Sequence, residues 1–185
     1  LLMIEVDGAE AAIAHAVTAV SAAAQGDGLL QIDAAQSADE VARLWAARKA
    51  LSPALKHVAP KKINEDVVVP VSKLPALVAK TRELAAESGI AIVCFGHAGN
   101  GNLHVNLMFD PADAAQSAQA PRVLSELFAT TLALGGTLSG EHGIGLDKRD
   151  FMPQAIAAPT LDLMRAVKAQ FDPTGILNPG KLLPP

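Results

Sequence analysis

Two apolar runs joined by a short glycine- and asparagine-rich turn stand at the centre of this 185-residue chain, in AIVCFGHAGNGNLHVNLMF at 91–109. An Asn-Gly pair between two such runs is a strong signal for a β-hairpin. Any fold of this chain therefore has to include two antiparallel strands here. The first run, IAIVCF, is apolar at every position, which predicts a central strand buried on both faces.

The second run alternates between apolar and polar side chains, with the period of a β-strand. One face of this strand is predicted to pack in the core, and the other to present hydrogen-bonding groups. The hairpin would also bring His97, at the end of the first strand, close to the second. The apolar set is Leu103, Val105, Leu107 and Phe109, and the polar set is Asn102, His104 and Asn106.

Further strands and helices alternate along the chain, and a Ser-x-x-Glu capping box at 37–40 opens one of the helices. Together they predict an α+β fold, an antiparallel sheet with helices packed mainly on one face, in one domain over 1–185. Residues 112–120 are predicted to be a mobile loop. The other predicted strands are 1–7, 29–34 and 66–71, and the predicted helices are 9–25, one from residue 37, 72–88, 121–134 and 159–171.

Composition limits the class of protein. Half of the residues are apolar and mean hydropathy is +0.28, yet no apolar run approaches the roughly 18 residues of a membrane helix. A net charge of −4 argues against a nucleic-acid binder, which carries a basic patch. The single cysteine, Cys94, is predicted to be a small core residue. The chain opens on LLMIEVDG without an initiator Met, so we expect a longer parent protein.

Two neutral imidazoles at the mouth of one hairpin suit a metal ion. The alternative is that His97 caps the turn and His104 satisfies a backbone carbonyl. The glycine-rich segment GGTLSGEHGIG, at 135–145, supplies Glu141 as a candidate third ligand. Two histidines and one carboxylate form a common half-open metal set, and His142 would then be a fourth ligand or a general base. Otherwise this segment is a mobile surface loop.

Arg48 continues the apolar stripe of Val41, Leu44 and Trp45 along a helix predicted to face inward. An arginine in that position needs an anionic partner or an exit to solvent. A salt bridge or a snorkelling side chain meets that need, and so does a carboxylate substrate bound by the guanidinium fork. Lys62 is a second cationic side chain that could bind such a carboxylate.

Three motifs, in the order GHAGNGNLHVN, GGTLSGEHGIGLDKRDFM and FDPTGILNPGKLLP, resemble the C-terminal domain of FAD-linked 2-hydroxyacid oxidases and dehydrogenases. Members of that family oxidise glycolate, D-lactate or D-2-hydroxyglutarate. The resemblance covers nearly the whole chain. It implies the ferredoxin-like cap domain of the vanillyl-alcohol-oxidase-type flavoproteins, which builds the substrate site, while an N-terminal domain holds most of the FAD.

The resemblance also implies roles for individual residues. His97, His104 and Glu141 match the family's ligands for a divalent metal, zinc or a similar ion. His142 matches the proposed base. Arg48 matches the arginine of the family's Trp-x-x-Arg pattern, which binds the substrate carboxylate, and Asn106 matches a polar residue of the same site, with Lys62 nearby. The tail, 172–185, matches a segment that returns to the flavin, and its NPGK stretch contains Asn178 and Lys181.

At two positions the chain departs from the family pattern. Asn100 stands where many members have the Asp of Gly-Asp-Gly-Asn-Leu-His, which predicts weaker outer-shell support for the metal. Asn64 stands two residues before Asp66, where some members have a lysine, and Lys62 is the nearest cation. This departure weighs against a substrate whose second carboxylate relies on that lysine.

The sequence therefore predicts part of an enzyme that oxidises a small D-2-hydroxy acid, such as glycolate or D-lactate, by hydride transfer to FAD. Its expected partners are the substrate and its own N-terminal FAD domain, and no nucleic acid is expected. The sequence does not identify the electron acceptor, and it is compatible with a homo-oligomer. The isolated chain is expected to be inactive, and its location cytoplasmic or peripheral to a membrane. A stand-alone enzyme with the same metal set and a non-catalytic interface module are the alternatives.

Overall fold

The structure is a computed structural model, which describes residues 1–35 and 37–185. The chain forms two compact units, Leu1–Ser52 and Pro53–Pro185. The first unit contains helix α1, Glu10–Ala23, and most of helix α2, Ala38–Ala54.

Helix α2 begins with the capping box that the sequence predicts. The backbone N–H of Ser37 donates to Oε2 of Glu40 at 3.1 Å, and the N–H of Glu40 donates to Oγ of Ser37 at 3.3 Å. These bonds satisfy two donors that a helix start leaves without partners. They confirm the helix start.

Two other predictions for the first unit are wrong. Residues 1–7 and 29–34 form no strand, because an apolar run becomes a strand only where a neighbouring strand completes its backbone hydrogen bonds. Helix α2 buries no side chain, and the stripe predicted to face inward is exposed, Trp45 by 39%. A helical period of apolar residues identifies the apolar face of a helix, but it does not show which part of the protein covers that face. The other members of the exposed stripe are Val41 and Leu44.

The second unit contains the sheet. Its strands are β1, Lys61–Val68, β2, Ala91–His97, and β3, Asn102–Phe109, in the spatial order β1-β3-β2 with both pairs antiparallel. The prediction that the first strand of the hairpin is central is wrong, because β2 lies at an edge and β3 is central. Every residue of β3 is buried. An apolar run cannot distinguish a central strand from an edge strand that a helix covers.

Helices α3, Leu74–Ser88, and α4, Ala114–Ala133, cover one face of the sheet and contact each other. The α3 crossover joins β1 to β2, which lie parallel on either side of β3, as in a split βαβ unit. Cys94 packs partly buried against this core, as predicted. The helices leave the opposite, polar face of the sheet for other contacts. The core includes Val67, Leu77, Leu84, Val105, Leu107, Val123, Leu127 and Phe128.

The loop predicted at 112–120 is mostly helix, so that prediction is wrong. Helix α4 begins at Ala114, where the Asp113 side chain accepts hydrogen bonds from the backbone N–H groups of Ala115 and Gln116. Pro121 lies inside the helix. A proline suits the first turn of a helix, and the sequence therefore predicted the start there. The aspartate cap one turn after β3 is the stronger start signal.

The chain ends with the short helix α5, Met152–Ala155, helix α6, Ala158–Phe171, and the segment 172–185. No helix in the described part of the chain has the length and apolar content needed to cross a membrane.

Candidate metal centre

The β2–β3 hairpin places two histidines side by side. Gly101 closes the turn with a φ of +72°, and a Cβ atom there would lie 2.0 Å from the carbonyl oxygen of Val69. Only glycine fits both conditions. The ring centroids of His97 and His104 are consequently 5.6 Å apart, edge to face. His104 is buried on the central strand, whereas His97 at the end of β2 is exposed.

The loop Ser139–Gly143 brings a carboxylate to these histidines. Oε1 of Glu141 lies 3.1 Å from Nε2 of His104 and 3.8 Å from Nε2 of His97. One ligand atom from each of the three residues lies within 4.8 Å of the other two. The loop and the hairpin are thus adjacent, as expected from the sequence.

His142 lies next to this group. Its ring is stacked on that of His104 with a centroid distance of 5.3 Å and an angle of 21° between the planes. Nδ1 of His142 is 3.6 Å from Oδ1 of Asp66. The side chain is 43% exposed, so a small molecule in front of the sheet can reach it.

The electrostatics favour neutral His104. Burial lowers the pKa of its imidazole, and this effect outweighs the opposing effect of the Glu141 carboxylate. Nδ1 of His104 is buried and has no hydrogen-bond partner among residues 1–35 and 37–185. A neutral imidazole binds a metal through a nitrogen lone pair. Because Nε2 faces Glu141 and His97, it is the nitrogen that suits a shared ligand.

A buried charge cluster behind the loop was not anticipated from the sequence. Asp66 is fully buried, and its Oδ1 accepts a hydrogen bond from Nζ of Lys148 at 2.6 Å. Lys148 also lies 3.2 Å from Oε2 of Glu65. The one available signal was a pair of acidic residues opening the apolar stretch DVVVP; nothing in LDKRD marked Lys148.

Burial alone raises the pKa of the Asp66 carboxyl. The hydrogen bond from Lys148 and the backbone N–H groups of Glu141 and His142 together outweigh burial, and they hold the pKa well below its usual range. For Glu65 the balance is opposite, because burial raises its pKa more than Lys148 lowers it. Asp66 is therefore the carboxylate with which Lys148 forms its main pair.

Asn106 lies on the same sheet face as His104, but its amide is already engaged. Its Oδ1 accepts from Nδ2 of Asn64 at 2.7 Å, and its Nδ2 donates to the carbonyl of Val93 at 2.9 Å. Asn106 has no exposed surface. Lys62 is exposed on this face, one step beyond Asn64 along β1.

The donor set at the loop fits a divalent metal. Two imidazole nitrogens and one carboxylate oxygen converge, two of the side chains are half exposed, and the third is held by the central strand. Zinc takes such nitrogen and oxygen ligands and leaves a position for substrate.

The family model of FAD-linked oxidases, C-terminal domain, matches residues 1–182. The chain belongs to this family.

Relatives of this family member carry oxidoreductase names. The present chain is 34% identical to the glycolate oxidase subunit GlcD of Bacillus subtilis, over 98% of this chain and 39% of that protein. It is 36% identical to a D-2-hydroxyglutarate dehydrogenase of Stutzerimonas stutzeri, over 80% and 32%. It is 35% identical to the mitochondrial D-lactate dehydrogenase [cytochrome] of Arabidopsis thaliana, over 77% and 25%. The chain thus spans less than two fifths of each of these relatives.

Three further residues matched to the family lie apart from the cluster in sequence and element, namely Arg48, Asn178 and Lys181. Arg48 lies on α2 in the first unit and is partly buried. Asn100 is exposed in the hairpin turn. Asn178 has a φ of +48°, and its carbonyl accepts from the N–H of Lys181 at 3.3 Å, closing a turn in NPGK. The roles of these residues stay predictions.

Proposed function

We propose that this chain is the substrate- and metal-binding part of an FAD-dependent dehydrogenase that oxidises a small D-2-hydroxy acid to the 2-oxo acid. The convergence of His97, His104 and Glu141 at the open face of the sheet carries the proposal. The family match and the names of the relatives support the reaction class.

His97, His104 and Glu141 would hold the metal, with zinc as the first candidate. A divalent cation held there supplies Lewis acidity toward the hydroxyl and carboxylate oxygens of the substrate. The three side chains come from an edge strand, the central strand and a loop. The cation would therefore link the hairpin to the segment that carries His142.

His142 is proposed as the base that takes the proton of the substrate hydroxyl. Its ring is stacked on His104, so the base stands next to the three ligands. Its backbone N–H is bonded to buried Asp66 at 2.8 Å, which limits its movement. A base has to lie within hydrogen-bond reach of the proton that it removes, and a fixed position provides that.

Arg48 is proposed to bind the substrate carboxylate, because the guanidinium fork matches a carboxylate in two parallel hydrogen bonds. FAD would be held mainly by a separate N-terminal domain, and the tail with Asn178 and Lys181 would contact it. Bound there, the flavin would supply the hydride acceptor. On the side of the site away from the metal, exposed Lys62 is proposed to line the substrate position, and buried Asn106 is proposed to support this side through its hydrogen bond with Asn64.

We further propose a substrate with a single carboxylate, of the size of glycolate or D-lactate. Asn64 stands where some family members have a lysine, and its amide is bonded to Asn106. A neutral amide engaged in this way offers no charge to a second carboxylate. A panel of D-2-hydroxy acids tested on the full-length protein should show higher kcat/KM for D-lactate than for D-2-hydroxyglutarate.

The metal role is tested by His104→Ala in the full-length protein. Removing a direct ligand should weaken Zn²⁺ binding by more than about a hundredfold, beyond the loss typical of outer-shell changes, and should lower kcat/KM to a similar degree. Bound flavin, measured from its visible absorbance, should not change. Full activity in the variant would favour a non-catalytic module. Bound metal without flavin in the parent protein would favour a stand-alone metal enzyme.

A further inference from the structure

Three successive backbone N–H groups of the loop Ser139–Gly143 point at one carboxylate oxygen. Oδ2 of Asp66 accepts from Gly140 at 2.9 Å, from Glu141 at 2.5 Å and from His142 at 2.8 Å. Such a row of N–H groups forms an anion-binding concavity. Here a buried side chain of the same unit fills it, and two of the three residues held are Glu141 and His142.

We propose that Asp66 is the positioning residue of this site: it fixes the loop so that Glu141 and His142 stand at the two histidines of the hairpin. This inference rests on the proposed function, because it assigns a purpose to that loop position. Asp66 does not belong to the three ligands. It holds Glu141 and His142 by their backbone N–H groups, and its Oδ1 also lies 3.6 Å from Nδ1 of His142.

The strand register explains why this position can serve as the anchor. Asp66 on β1 is paired with His104 on β3, so both side chains project from the same face of the same rung. The loop is thus tied to the rung that carries the buried ligand. The carbonyl of Asp66 adds to this tie by accepting from the N–H of Gly140 at 3.1 Å.

The loop has little freedom elsewhere. A Cβ atom on Gly140 would lie 2.4 Å from Nδ2 of Asn102 and 2.8 Å from Cγ2 of Val68, so the backbone passes directly over the sheet. Oγ of Ser139 lies 3.2 Å from Oδ1 of Asp66 and accepts from the N–H of Gly143 at 2.8 Å. Both ends of the five-residue loop are therefore bonded to the same anchor, directly or through Ser139.

Lys148 provides the countercharge that a buried carboxylate requires. Its Nζ donates to Oδ1 of Asp66 and, at 2.8 Å, to the carbonyl of Leu138, just before the loop. Glu65 contacts the same Lys148, but among the described residues it forms no hydrogen bond with the loop, since its side chain projects from the other face of β1. Glu65 and Asp66 thus share a cation and differ in whether they touch the loop.

This difference supplies a matched pair of variants, Asp66→Asn and Glu65→Gln, in the 185-residue chain. Asn has nearly the same side-chain volume as Asp, but an NH₂ group replaces one of the two acceptor oxygens. That donor would face either the backbone N–H groups of the loop or Nζ of Lys148, which are donors themselves. In a Zn²⁺ titration, Asp66→Asn should bind Zn²⁺ at least about tenfold more weakly than the wild type, a loss within the range of outer-shell changes. Glu65→Gln should leave Zn²⁺ affinity unchanged although both variants disturb the same buried cluster. Visible absorption of the Co²⁺-loaded proteins should differ from the wild type only for Asp66→Asn.

Equal Zn²⁺ affinity and equal Co²⁺ spectra in the two folded variants would overturn the proposal. If Asp66→Asn does not fold, hydrogen exchange of the metal-free wild type decides. The N–H groups of Gly140, Glu141 and His142 should be protected although these residues are exposed, and rapid exchange would overturn the anchor. If the wild type binds no Zn²⁺, the proposed function fails, while the exchange measurement still tests Asp66.

Discussion

At the scale of single residues, the chemistry depends on which polar side chains are held and which are open. His104 and Asp66 are buried and occupy one rung of the sheet, whereas His97, Glu141 and His142 are half exposed. The buried pair fixes geometry, and the open three face whatever binds. A site of this type combines a rigid support with reachable ligands.

Arg48 gives the prediction that belongs to this scale. Arg48→Lys keeps the charge but loses the two parallel hydrogen bonds, so KM for the 2-hydroxy acid should rise by about tenfold, as for one charge-assisted hydrogen bond. Steady-state kinetics of the full-length protein would measure it. Arg43→Lys, on the same helix and 3.9 Å from exposed Glu40, is the control and should leave KM unchanged. An unchanged KM in Arg48→Lys would remove this residue from the substrate site.

At the scale of elements, the hairpin was predictable and its surroundings were less so. Asn-Gly turn chemistry and strict alternation are local signals, and β2, β3 and the face of His104 follow from them. The segments 1–7 and 29–34 show the same apolar character without becoming strands, because pairing is a long-range property. The start of α4 depended on one cap, Asp113, that competed with Pro121 as a signal.

The site shows the same division. Glu141 and His142 were found because a carboxylate and a histidine stand together in a glycine-rich segment. Asp66 and Lys148 were missed, because their contact joins residues 82 apart in sequence. Sequence motifs marked the residues proposed to touch a ligand, whereas the support behind them depends on tertiary contacts.

The C-terminal segment 172–185 gives the prediction at element scale. Asp172 follows α6, and its side chain accepts from Lys168 at 2.5 Å and from the N–H groups of Ile176 and Leu177 at 2.9 and 3.0 Å. The hydrogen bond from Lys168 lowers the pKa of this carboxyl, and the two backbone donors lower it further. Its stabilising effect is therefore complete above the unfolded pKa, about 4, and is lost as pH falls from there through the lower folded value.

Asp172→Asn should consequently speed hydrogen exchange of Ile176 and Leu177 several-fold at neutral pH, and the difference from the wild type should shrink in acid. Asp162→Asn, which removes the partner of Arg165 on the same helix, is the control. Its exchange at these two positions should match that of the wild type. A wild-type segment whose protection does not fall at any acidic pH at which the domain stays folded would contradict the role of the carboxylate.

At the scale of the whole molecule, the candidate metal centre and the proposed substrate arginine belong to different units. All three metal-ligand candidates, their anchor and the packed core lie in Pro53–Pro185, whereas Arg48 lies in Leu1–Ser52. The chain also spans only 39% of its glycolate oxidase relative, which leaves ample length in that protein for a separate FAD domain. Metal binding and turnover should therefore separate experimentally.

A fragment of residues 53–185 should bind Zn²⁺ within about threefold of the 185-residue chain, a difference of well under 1.4 kcal/mol, because it retains every ligand and the support behind them. Calorimetric titration of both measures this. The 185-residue chain itself should neither retain FAD through gel filtration nor reduce a dye with D-lactate, since the flavin is expected mainly on the other domain. A folded fragment that binds Zn²⁺ more than about tenfold more weakly would show that the first unit contributes to the metal site. Retained flavin or dye reduction would show that this chain alone builds the redox site.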